Sequence, residues 1–282
     1  MTFKTLLVHV EAEPTRDSRL DVAIDLANHF NAKLIGVGAE FPFNHYGSFG
    51  IDYGAAYVAA DLLAAEAERV KNDMKLAEEK FRSVAAAVRE GSEWRTAIQF
   101  PLAAIAAEAR AADLVIASHS NREGASDHNV AWPGALVLQA GRPVLVAPPD
   151  TTQVNVSSVV VAWKDTREAR RAASDALPFL QSAERVELVD ICESRSEASA
   201  AATRLAGVAS HLLRHGVRTT VNVDVAEKGS TAAQQLLDIA DRQKADLIVA
   251  GGYGHSRLQE WVFGGFTQAL LAQSRRAVMF SH

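Results

Sequence analysis

At roughly 150 residues per domain, a chain of 282 residues reads as two domains rather than one. Its 34 acidic against 29 basic residues exclude the concentrated cationic footprint of a nucleic-acid binder, and 48% hydrophobic residues exclude general disorder. A single cysteine, Cys192, excludes an internal disulfide and a cysteine-rich metal site, and no apolar run reaches the roughly 18 residues of a membrane span.

In chain order, acids stand in the opening MTFKTLLVHVEAEP where a secretory leader would stay apolar, so a soluble, cytoplasmic protein is expected. Leu6-Leu7-Val8-His9-Val10 reads as a first strand. Phe41 to Phe49 is aromatic and turn-rich, the pattern of an ordered loop or lid. Leu63, Val70, Met74, Ala77, Phe81 and Val84 then recur at helical spacing, which predicts one long amphipathic helix packed on the core. Ala112-Asp113-Leu114-Val115-Ile116-Ala117 is a further strand, followed by Pro143-Val144-Leu145-Val146. Two prolines open the linker at 148–156 and end the first unit.

The second half repeats the plan. Ala245-Asp246-Leu247-Ile248-Val249-Ala250 matches 112–117, and Ala277-Val278-Met279-Phe280 matches 143–146. Strands are expected near 157–163, 184–191, 217–225, 246–250 and 277–281, with helices near 166–179, 195–215, 230–243 and 264–274. Apolar strands alternating with Ala- and Leu-rich helices predict an α/β class with parallel sheets covered on both faces. The expected domains are 1–148 and 157–282.

The second half also carries the chemistry. Ala250 ends a strand and leads into Gly251-Gly252-Tyr253-Gly254-His255-Ser256-Arg257, and Phe263-Gly264-Gly265-Phe266-Thr267 opens the next helix. Glycines just past a strand let the backbone turn and come close to a ligand, and a helix N-terminus adds free N–H groups and a positive dipole end. The pair predicts a cradle for anionic oxygens, with His255 and Thr267 beside it, at the carboxyl ends of the strands.

Gly251-x2-Gly254-x9-Gly264 resembles the ATP-binding signature of the universal stress protein family, Gly-x2-Gly-x9-Gly-Ser/Thr. The run Ala162-Trp163-Lys164-Asp165-Thr166-Arg167-Glu168-Ala169-Arg170-Arg171 is similar to the first strand and helix start of proteobacterial members. The resemblance implies two tandem doubly wound domains, each a five-stranded parallel sheet in the order 3-2-1-4-5, and pairing between fifth strands. That pairing is open to the two halves of one chain as a pseudo-dimer and to a homodimer. It further implies ATP, or a related adenine nucleotide, bound in the second domain, with Ile191 against the base and Ala162 and Trp163 as the adjoining wall. Two departures stand out. Gly265 replaces the usual Ser or Thr, with Thr267 as a substitute hydroxyl, and Lys164 replaces the usual acid. A lysine pairs directly with phosphate, leaving Asp165 as the residue for a magnesium ion.

The first half lacks the signature. Ser118-His119-Ser120-Asn121 follows its strand, Trp132-Pro133-Gly134 stands where the second glycine cluster belongs, and Glu11 follows strand one. A structural partner domain is therefore expected there. The function implied is a stress-response or signalling protein that holds nucleotide and associates with a protein partner the sequence does not identify. The alternatives are a slow ATPase or nucleotidyl-transfer enzyme, and a module for an apolar ligand under the 41–49 loop. No catalytic set is evident: Ser256 beside His255 lacks a Gly-x-Ser-x-Gly elbow, and His119 and His128 read as solvated loop residues. His211 and His215, one helical turn apart, have no third ligand and read as a surface pair. Cys192 reads as a small packed hydrophobe.

Overall fold

A computed structural model describes residues 2–12, 18–42, 53–118, 130–149, 151–254 and 265–282. In the first half, β1 (Thr5–His9), α1 (Ser18–Phe30), β2 (Lys33–Ala39), α2 (Tyr53–Ala85), β3 (Ser92–Ala97), α3 (Pro101–Glu108), β4 (Leu114–Ser118), α4 (Pro133–Gln139) and β5 (Val144–Ala147) follow one another. The second half repeats the alternation: β6 (Ser158–Ala162), α5 (Arg167–Asp175), α6 (Leu177–Ser182), β7 (Arg185–Cys192), α7 (Ala198–Arg214), β8 (Thr220–Val225), α8 (Ala232–Arg242), β9 (Leu247–Gly251), α9 (Gly265–Gln273) and β10 (Ala277–Ser281).

The strands form one 10-stranded sheet in the order β3-β2-β1-β4-β5-β10-β9-β6-β7-β8. Each half is parallel in the order 3-2-1-4-5, and the two meet where β5 and β10 pair antiparallel, Val146 opposite Val278 and Val144 opposite Phe280. The fifth strands of the two halves therefore pair within the chain. Side chains alternate across the sheet. Leu6, Val8, Val159 and Val161 join one core with α1, α2, α5 and α7, and Leu7, Val160, Ile248 and Phe280 join the other with α3, α4, α8 and α9. Burial on both faces is why these strands read as continuous apolar runs. Phe3 and Phe30 of the first half meet Phe179 of α6 edge to face, with centroids 5.1 to 5.2 Å apart, and tie the halves together on the first face.

Several expectations need correction. The helix expected over 166–179 is two, α5 and α6, because Pro178 has no N–H for an unbroken ladder and fits only the first turn of a new helix. Within the linker, Val154 and Val156 are buried in the core. In α2, Val70, Met74, Ala77 and Phe81 are buried as expected, but Leu63 and Val84 are exposed. A helix of 33 residues is about 50 Å long, more than twice the span of a strand, so it cannot lie on the sheet along its whole length, and Leu62 and Leu63 are exposed. Past Phe81 the inward seat is taken one residue later, by Ala85. Phe41 stacks on Phe100 at 4.6 Å, while residues 43–52 of the aromatic segment, and with them the ligand reading placed under it, lie outside the described residues. No described helix is long and apolar enough to cross a membrane.

Candidate functional site

The parallel order makes β6 and β9 neighbours, with β7 on the far side of β6. Their carboxyl ends open onto a cavity of about 470 Å³ closed by the start of α9, within the range of roughly 300–1,000 Å³ usual for small-molecule sites. Ala162 at the end of β6 and Trp163 and Lys164 just past it line the cavity, with Ile191 from β7, Gly251 from the end of β9, Gly254 from the loop that follows, and Gly265 and Thr267 from α9. Eight of the residues singled out in the sequence are thus brought together.

The others are not. Asp165 faces a different cavity, beyond Trp163, and its carboxylate lies 4.0 Å from Arg170. The expected magnesium ligand is therefore turned away from the glycine loop: it precedes the helix by two residues, and the chain has already left the strand end. Ala250 is fully buried inside the sheet, with Ala162 and Phe280 as its register partners, so it supports the site without lining it. His255 and Gly264 lie outside the described residues.

The glycines have separate reasons. A Cβ on Gly251 would stand 2.7 Å from the Ala169 backbone nitrogen, so this glycine lets the start of α5 press against the end of β9. One on Gly252 would stand 2.5 Å from Val137 of α4, in the other half of the molecule. One on Gly254 would stand 3.2 Å from Glu168 Oε2, in the cavity itself, whereas Gly265 has nothing within 4 Å and leaves the N-terminal turn of α9 open. Between these glycines Tyr253 adopts a left-handed backbone with φ of 53°, an uncommon state for a side chain of its size. It is held there from two sides. Its amide donates to Thr267 Oγ1 at 3.2 Å, and its hydroxyl accepts from Gln268 Nε2 at 3.0 Å, above Gly134 of the first half. Thr267 lines the cavity and its oxygen also pins the loop.

Among the lining residues that went unrecognised in the sequence are two carboxylates. Glu168 is 1% exposed, with its Oε1 accepting from Arg167. Burial works to raise its carboxyl, but hydrogen bonds, chiefly from Arg167, outweigh this and hold it below the ordinary carboxylate value. Asp190 is also buried, and burial raises its carboxyl against the opposing pull of Arg204 at 3.8 Å. A signal for each existed: an acid in the first turn of a helix, and an acid between apolar residues near the end of β7. Thr166 caps α5 by accepting from the Ala169 amide at 3.3 Å, which fixes where Glu168 sits.

His211 and His215 stack edge to face at 4.9 Å, and among the described residues no group of three His, Cys, Asp or Glu is placed to hold a metal. Cys192 is buried, which pushes its thiol up and leaves it a packed side chain.

Residues 155–282 match the model of the universal stress protein family. No curated protein matches the chain. Among solved structures, a universal stress protein from Archaeoglobus fulgidus DSM 4304 is similar over 98% of this chain and 95% of its own, with 15% identity and a TM-score of 0.67. A functionally unknown protein from Pseudomonas aeruginosa PAO1 is similar over 99% and 92%, with 13% identity and a TM-score of 0.59. The whole chain shares the fold of these two proteins, and its second half carries the family's sequence pattern.

Proposed function

We propose that the second half binds one adenine nucleotide, ATP foremost, and that the protein works through this binding in stress response or signalling rather than by turning a substrate over. One observation carries the reading: the loop 251–254, the open N-terminal turn of α9 at Gly265 and the cation Lys164 line a single cavity at the strand ends. Backbone N–H groups and the helix dipole suit phosphate oxygens there, and Lys164 adds a charge. Trp163 and Ile191 supply an apolar wall for a base at the other end. Magnesium would arrive with the phosphates, and Glu168, rather than Asp165, is the carboxylate placed to meet it.

Calorimetric titration of ATP into the full chain tests this, with one site per chain expected. Gly254→Val, confirmed folded by circular dichroism, should lose affinity by about tenfold or more, about 1.4 kcal/mol, because its side chain enters the space between the loop and Glu168. Unchanged affinity in the folded variant, or no binding of ATP, ADP or AMP to the parent with and without magnesium, would overturn the reading.

A further inference from the structure

A second cavity, of about 460 Å³, lies on the other core face between α5 and α7. Its walls are two helical stripes at matching spacing: Arg170, Ala173, Ser174 and Leu177 on one side, and Arg204, Gly207, Val208 and His211 on the other. Gly207 stands in the interior of a 17-residue helix, where glycine is unfavourable, and a Cβ there would meet nothing within 4 Å. Neither helix packing nor a turn requires it. Among the described residues none fills the space above it.

The groove is amphipathic. Trp163, 8% exposed, forms its end wall, and the indole Nε1 has no hydrogen-bond partner among the described residues. Leu177 and Leu212 add apolar surface. At the rim, Arg204 faces Asp190 at 3.8 Å and Arg170 faces Asp165 at 4.0 Å, both beyond hydrogen-bonding length. The Arg170 Nε donates to the Thr166 carbonyl at 3.0 Å, whereas Arg204 makes no hydrogen bond among the described residues. With its paired carboxylate, Asp190, beyond hydrogen-bonding length, the Arg204 guanidinium keeps N–H groups for a planar anionic group beside the apolar pocket.

We infer that the groove between α5 and α7 is a second ligand site, for a small organic anion with an apolar body, an aromatic or short aliphatic carboxylate or sulfonate. Its ring or chain lies against Trp163 and Leu177, over Gly207, and its charged end meets Arg204. This site is separate from the nucleotide cavity and shares only Trp163 with it.

The test is fluorescence titration of the full chain with anilinonaphthalene sulfonate and, in parallel, with phenylnaphthylamine, the same ring system without the sulfonate. The sulfonate should bind once per chain and roughly tenfold more tightly than the neutral compound. Gly207→Leu fills the groove and should weaken both probes by about tenfold or more, with ATP titration unchanged. Arg204→Gln, at an exposed side chain, should bring the sulfonate down to the neutral compound's affinity, and its test stands even where Gly207→Leu fails to fold. Equal affinity of the two probes for the parent chain would overturn the anion class. Unchanged sulfonate binding in folded Gly207→Leu, or displacement by ATP with no effect of either substitution, would overturn the site, whatever the outcome of the nucleotide experiments.

Discussion

The two halves share one topology and place their bulk on opposite sides of the same layer. The Val10 amide donates to Val37 O as the Trp163 amide donates to Val189 O, which makes Glu11 the counterpart of Lys164, and Gly36 and Gly38 the counterparts of Leu188 and Asp190. In the first half the strand is bare at these two positions, and the rings of Phe81 and Trp94 fill the space: Cβ atoms on Gly36 and Gly38 would stand 2.5 and 2.6 Å from them. In the second half the strand bears the side chains and the helices carry Ala173, Ser174 and Gly207, so a groove stays open. At the strand ends the contrast repeats. Glu11 and Glu40 are buried against Arg19 and Arg69, each at 2.7 Å, where the second half presents Lys164 and Cys192. A fold therefore fixes where a crevice forms, and the residue types at a few register positions decide whether protein or ligand fills it.

The largest expected effect breaks the first half's packing. Phe81→Ala empties the space over Gly36 and should cost about 3–5 kcal/mol in chemical denaturation. A loss well under 1 kcal/mol would mean that the ring is not what fills this layer.

Next, Lys164→Glu gives the second half the charge its counterpart carries. ATP affinity should fall by about 100-fold, about 2.7 kcal/mol, as a phosphate contact becomes a repulsion. Lys164→Ala should fall between the two, and its loss should shrink as salt rises. Equal affinity for all three proteins in calorimetry would remove Lys164 from the site.

A smaller effect separates the two kinds of glycine. Gly207→Ala should raise stability by about 0.5–1 kcal/mol, since the helix gains a better former and the new methyl meets nothing. Gly36→Ala should lower stability, because Phe81 has to move. Thermal melts of the two variants in opposite directions sharpen the comparison, and shifts of the same sign break it.

The smallest effect concerns the sheet edges. On β3, Arg95 at 2.8 Å and Lys33 at 2.5 Å hold the Glu93 carboxyl down at about 2. Because the folded value lies below the unfolded one, the contribution is complete above about 4.5 and fades as pH falls toward 2. The group is exposed, so Glu93→Gln should cost well under 1 kcal/mol at pH 7 in low salt, and its difference from the parent should vanish in acid. A difference that grows in acid would contradict the sign. Val221 on the β8 edge is exposed and carries no titratable group, so Val221→Thr should show no such pH dependence.

Much of this was legible locally. The twin strands at 112–117 and 245–250 announced the repeat, and the family resemblance carried by 251–264 and 162–171 supplied the strand order. Eight residues of the cavity were also marked, because glycines after a strand and a lysine at a strand end are local signals. Which way Asp165 and Glu168 face was not legible, since three residues of turn and helix start rotate one carboxylate away from the loop and the other into it. Nor was the use of the Thr267 oxygen, which depends on a loop folding back onto the helix.

By itself the sequence determined the alternation of strands and helices, the burial of both sheet faces and the position of the glycine loop, because apolar periodicity and backbone freedom are properties of short segments. The tertiary structure alone decided which crevices stay open. Phe81 and Trp94 reach Gly36 and Gly38 from other elements, Val137 and Gly134 brace the glycine loop from the other half, and no described residue comes within 4 Å of a Cβ on Gly207. Filling space is a property of pairs distant in sequence, and no periodicity within one segment records its partner.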